Sequence, residues 1–286
     1  MAVFLAKEEV WNRLKSIAMP VQRRGQGAVP PALFKRIGEG SVTIQELQSF
    51  LKSAPHLPLQ EKQPLLLLEA SLLYQEEQYE EGIKSCDAAL RYGGYPLARL
   101  LKAVILLQLH RFNEASRSFQ LAYEHPNNLG VEKRSEFLRV LFWVWSMAAL
   151  VKGLDGILNQ NASELEGGVK EYLNVLDKAK GNQSEDSCAT LPFPKDVMVH
   201  FAKKLPEALA RNYVAKGQVL PDELVEQASQ LLQDALTELE LAVRLLSIKD
   251  PFDRWRALSQ EISKVWPKGV SAADAIREQR DRKWNT

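Results

Sequence analysis

Residues 70–89 read ASLLYQEEQYEEGIKSCDAA, and residues 103–122 read AVILLQLHRFNEASRSFQLA. Sliding one onto the other by 33 positions superimposes Ala70 on Ala103, Leu73 on Leu106, Tyr79 on Phe112, Gly82 on Ala115, Cys86 on Phe119 and Ala89 on Ala122. Small, large and aromatic residues recur at spacings of three to four, the period of a helix surface. Small residues let paired helices approach, large ones fill the gaps between them, and each pair must stack on a neighbour to bury its remaining face.

Outside this stretch apolar residues keep helical spacing in almost every segment, and period-two alternation is scarce, so the expected fold class is all-α. Toward the N-terminus, Val10, Trp11, Leu14 and Ile17 form a stripe ending at Pro20. Pro31 opens a short helix through Leu33, Phe34 and Ile37 that Gly38 stops, and Thr43 with Glu46 has capping-box spacing ahead of Leu47 and Leu51. Toward the C-terminus, residues 131–151 predict a strongly apolar helix, broken by Gly153 and Gly156. Ser163 and Glu166 then have the spacing to cap a helix lined by Leu165, Val169, Tyr172, Leu173 and Leu176. A polar linker from 181 to 190 leads to a helical stretch kinked at Pro206. Pro221 starts the longest expected helix, with a continuous stripe from Leu224 through Leu231 and Leu239 to Leu246. Asp250-Pro251 opens an amphipathic helix whose stripe of Phe252, Trp255, Leu258, Ile262 and Val265 is expected to dock, and a short basic helix with Arg280 and Trp284 ends the chain.

The 33-residue pattern is similar to the tetratricopeptide repeat, whose usual period is about 34. Gln78 to Gly82 and Arg111 to Ala115 resemble that family's inter-helix turn. Lys102 and Glu69 depart from it, standing where the family carries an apolar residue. The resemblance covers about residues 63–125 and implies a tetratricopeptide-like α-solenoid, which flanking helices are expected to complete over residues 63–180, with a helical N-terminal cap over 1–62. Additional C-terminal helices span 191–248, and a basic helical tail occupies 249–286. It also implies a groove lined by the first helix of each pair, where Glu69, Leu73, Arg99, Lys102 and Leu106 would meet a partner segment.

Composition bounds the remaining possibilities. The 286-residue chain is 45% apolar and 26% charged, with a formal net charge of +1, which fits a soluble globular protein. Lys and Arg outnumber Asp and Glu by eight to four in residues 1–60 and by nine to six in 249–286, while residues 61–248 carry 20 against 26. Basic ends around an acidic middle fall short of a nucleic-acid footprint, leaving a nucleic-acid-associated regulator as an alternative function. Val140–Val151 is too short to span a bilayer, no secretory signal opens the sequence, and two distant cysteines suit a reducing compartment; a cytoplasmic location without a transmembrane segment is expected.

The four histidines stand at no metal-ligand spacing. Cys86 occupies a core position of the repeat, Cys188 has no adjacent base, and no phosphate loop, dinucleotide fingerprint or nucleophile elbow occurs. No catalytic residue, metal or cofactor is therefore expected, and an enzyme on an unrecognised helical scaffold is the third alternative. Trp143 and Trp145 cannot share one helical face, so one of them faces away from its own helix's core, where burial under the long C-terminal helix is expected and a partner-binding patch is the alternative. The leading expectation is a non-enzymatic scaffold, an adaptor, assembly or regulatory factor, that binds another protein. Its candidate contacts are the five groove residues together with Trp143, Trp145, Arg280 and Trp284.

Overall fold

The computed structural model describes residues 30–91, 93, 95–125, 131–181, 191, 210 and 221–265, which are helical with no strand among them. The elements are α1 (Pro31–Glu39), α2 (Ile44–Ser53), α3 (Leu59–Gln75), α4 (Tyr79–Leu90), α5 (Pro96–Gln108), α6 (Phe112–Glu124), α7 (Val131–Leu158), α8 (Ala162–Gly181), α9 (Asp222–Ser247) and α10 (Pro251–Val265). The expected helices around Val10 and Pro206 and at Arg280 lie outside the described residues. Two compact units divide the chain at Glu240, so α9 runs from the first into the second. The expected boundary at residues 62 and 63 falls inside α3.

The N-terminal caps follow from local chemistry. Pro31 starts α1, whose terminator is Gly40 rather than Gly38: Gly40 adopts φ 69, where a side chain would be strained, and Gly38 remains helical. Thr43 accepts the Glu46 amide at 3.4 Å while the Thr43 amide donates to Glu46 Oε2 at 3.0 Å, completing the expected capping box. These bonds, first from the Thr43 backbone and then from its hydroxyl, with Arg36 beside them, hold the Glu46 carboxyl below its ordinary value. Val42, Leu47 and Leu57 then pack on Leu65 of α3, joined at the edge by Leu33 and Ile37.

From α2 to α8 each helix packs on the next; α3 also touches α5, and α5 touches α7. Three hairpins share one turn. In α3–α4, α5–α6 and α7–α8, three residues link the helices and the middle one is left-handed: Glu77 at φ 63, His110 at 57 and Gln160 at 53. The next amide reaches back five residues in each case, from Gln78 to Leu73 O at 2.9 Å, Arg111 to Leu106 O at 2.9 Å and Asn161 to Gly156 O at 2.7 Å. None of the three is glycine, so each left-handed residue costs roughly 1 kcal/mol, offset by satisfying helix-end carbonyls.

The third hairpin corrects two sequence expectations. Gly153 and Gly156 do not break α7, which continues to Leu158. They admit α8 instead: a Cβ on Gly156 would lie 2.4 Å from Leu165 N, and one on Gly168 of α8 would lie 2.4 Å from Gly153 N. Only glycines permit backbones this close. The cap of α8 also moves, because Asn161 rather than Ser163 precedes the helix, and Asn161 Oδ1 accepts the Glu164 amide at 3.3 Å. With its full length, α7 has a stretch, Arg134–Leu158, that is long and apolar enough to cross a membrane by length and composition, and 78% of its apolar 18-residue window is buried inside the protein.

Candidate functional site

The residues expected to line a groove are mostly packed inside the protein. Helix α5 is buried along its length except at Arg99 and Lys102, so apolar side chains all round it meet protein. Leu73 and Leu106, expected to meet a partner, are core residues at 1% and 0% exposure, and Glu69 is also buried. Both basic candidates are engaged internally. Lys102 Nζ lies 2.6 Å from Asp87 Oδ1 of α4, and an Arg99 guanidinium nitrogen donates to Leu121 O of α6 at 2.6 Å. The physical reason is the same throughout: the first helices receive neighbours on several sides, and a neighbour supplies the counter-charge or carbonyl that a partner would have supplied.

Trp143 and Trp145 do occupy different faces. Trp145 is buried, with contacts from α6 and α8. Its ring stacks on Phe119 with centroids 6.0 Å apart, and its Nε1–H donates to Glu171 Oε1 at 2.7 Å. Glu171 also faces Lys152 Nζ at 3.8 Å, and Lys152 donates to Asn113 Oδ1 at 3.1 Å, so one polar chain links α6, α7 and α8. Trp143 is half-buried, one helical turn beyond exposed Arg139. Arg280 and Trp284 lie outside the described residues.

Two groups with reactive side chains, Cys86 and Tyr74, are buried. Burial pushes the Cys86 thiol far up, and burial likewise raises the Tyr74 phenol, whose oxygen accepts from Gln108 Nε2 at 3.3 Å. Neither group ionises near neutral pH, so neither supplies a nucleophile or a base. Arg111 grips Glu114 through two bonds of 2.6 and 2.7 Å and holds that carboxyl below its ordinary value. Among the described residues no three His, Cys, Asp or Glu side chains converge as metal ligands do.

The surface that sequence reasoning misjudged is α10. Its stripe was expected to dock, yet Phe252 is 82% exposed, Trp255 67% and Ile262 40%. Asp250 caps the helix as expected, its Oδ1 accepting the Phe252 amide at 2.7 Å. Leu231 of α9, at 64% exposure, likewise leaves the stripe to which it was assigned. No family model, curated protein or solved structure matches this chain.

Proposed function

We propose that the chain is a non-enzymatic scaffold of tetratricopeptide-like helix pairs, cytoplasmic and without a cofactor, that binds another protein. The observation that carries the reading is the turn common to the three hairpins. Seven residues before each left-handed residue stands a buried small one: Ala70, Ala103 and Gly153. Pairs built to one plan and stacked in sequence are the construction of helical-repeat scaffolds, which act by holding partners.

The contact surface in this reading is the face of α7 where half-buried Trp143 stands one turn from exposed Arg139, in place of a groove at Leu73 and Leu106. An aromatic ring next to a guanidinium is the residue combination that dominates binding energy at protein interfaces. The test is affinity capture from native lysate with the wild type and with Trp143→Ala/Arg139→Glu, alongside circular dichroism melts. A partner lost while the melt is retained supports the reading. Capture of the same proteins by both forms rejects this surface.

A further inference from the structure

The geometry points to α10 as a peripheral membrane contact that lays its Phe252–Trp255–Ile262 stripe into an anionic lipid surface. This goes beyond the protein-binding reading and rests on the second compact unit alone. Fifteen residues make a helix about 22 Å long. Phe252, Trp255, Leu258 and Ile262 share one side of it, while Asp253, Gln260 and Lys264 lie on the other. Exposure falls from 82% at Phe252 through 67% at Trp255 to 40% at Ile262, so the aromatic end projects furthest. Large aromatic rings suit the boundary between headgroups and acyl chains, where an apolar body and a polar rim are both accommodated.

Charge selects the kind of surface. Arg254 and Arg256 fall on the two rims of the stripe, where their stems can lie along acyl chains; the Arg254 guanidinium donates to Ile248 O at 2.7 and 3.2 Å and Arg256 pairs with Asp253, so lipid phosphates would compete with these partners. Residues 241–265 hold five cations, Arg244, Lys249, Arg254, Arg256 and Lys264, against three acids. Every one of those acids is engaged. Asp250 caps the helix, Asp253 lies 3.2 Å from Arg256, and Glu261 lies 2.6 Å from Arg244 and 2.8 Å from Lys264. Three of the five cations are themselves the partners of Asp253 and Glu261, so what favours anionic over neutral headgroups is the net +2 of residues 241–265 beside the stripe.

The experiment is flotation of the full-length protein with vesicles of phosphatidylcholine alone and of phosphatidylcholine mixed with phosphatidylserine. Wild type should float with the mixed vesicles and remain largely behind with the neutral ones. Phe252→Ser/Trp255→Ser should lower partitioning on the mixed vesicles by on the order of a hundredfold, because it removes two insertable rings. Both side chains are exposed, so the circular dichroism melt should be unchanged. Arg254→Gln/Arg256→Gln should lower partitioning by about tenfold and weaken its salt dependence. Equal flotation of wild type and the Phe252/Trp255 variant would overturn the proposal. So would a wild type that ignores both vesicles, including one whose stripe instead drives self-association in sedimentation. Failure here leaves Trp143 and Arg139 untouched, since their variant is read by protein capture.

Discussion

Two adjacent glycines of α8 should respond oppositely to the same added methyl group. A Cβ on Gly168 would lie 2.4 Å from Gly153 N, 2.7 Å from Ala149 O and 2.8 Å from Gly153 Cα, all backbone atoms of α7. No side-chain rotation relieves such contacts, so α7 and α8 must separate by about 1 Å, disturbing the packing around Val169 and Tyr172. Overpacking of this kind costs about 3 kcal/mol or more. Alanine returns roughly 1 kcal/mol over glycine in a helix interior, leaving Gly168→Ala destabilised by about 2 kcal/mol or more. A Cβ on Gly167 would meet only Lys152 Cε and Nζ, both at 3.7 Å, which is ordinary contact with a flexible side chain. Gly167→Ala should therefore gain about 0.5–1 kcal/mol. Urea unfolding followed by far-ultraviolet circular dichroism should separate the two variants by about 3 kcal/mol. A Gly168→Ala protein as stable as Gly167→Ala would show that the helices do not approach as described.

Trp145→Phe keeps the ring stacked on Phe119 but removes the donor to Glu171, leaving a mostly buried carboxylate one partner short; a loss of about 1–3 kcal/mol in urea unfolding is expected, and an unchanged midpoint would remove Glu171 from the core network. The Glu46 carboxyl has a folded pKa below its ordinary 4.5, so its stabilisation is fully present above that pH and is lost as the pH falls through the lowered value. Glu46→Gln should therefore be less stable than wild type near neutrality, with the gap closing below pH 4.5; a gap independent of pH would contradict the capping-box assignment.

The first two pairs were legible because their chemistry repeats in place. Ala70 and Ala103 are each 0% exposed, as are Cys86 and Phe119, and Ala89 and Ala122, so residue size alone marked the buried positions. The candidate site was less legible because its neighbours come from other elements. Nothing in the sequence around Lys102 announces Asp87 as its counter-ion, since the pairing depends on how α4 meets α5. Cap register failed for a related reason. Asn161 with Glu164 and Ser163 with Glu166 have the same spacing, and choosing between them requires knowing that α7 passes its glycines and ends at Leu158. A glycine inside a helix is an unfavourable local signal by roughly 1 kcal/mol, and here close packing outweighs it.

The third pair escaped the alignment because it inverts the size code rather than abandoning it. Counting from the left-handed turn residue, Leu73 faces Gly82 across the first hairpin, and a Cβ on Gly82 would stand 3.7 Å from Leu73 Cβ. Leu106 and Ala115 hold the same places in the second, both 0% exposed. In the third the corresponding residues are Gly156 and Leu165, with the small one now on the first helix and the large one on the second. Packing constrains the summed volume at a contact more tightly than the identity on either side, so one large and one small residue fill the space in either order. A comparison that asks each position for its own residue type therefore finds two pairs, whereas one that asks facing positions for complementary sizes finds three. The inversion also fixes where glycine was needed: once Leu165 takes the large role on α8, its own backbone must come close to α7, and Gly156 is the residue that leaves room for it.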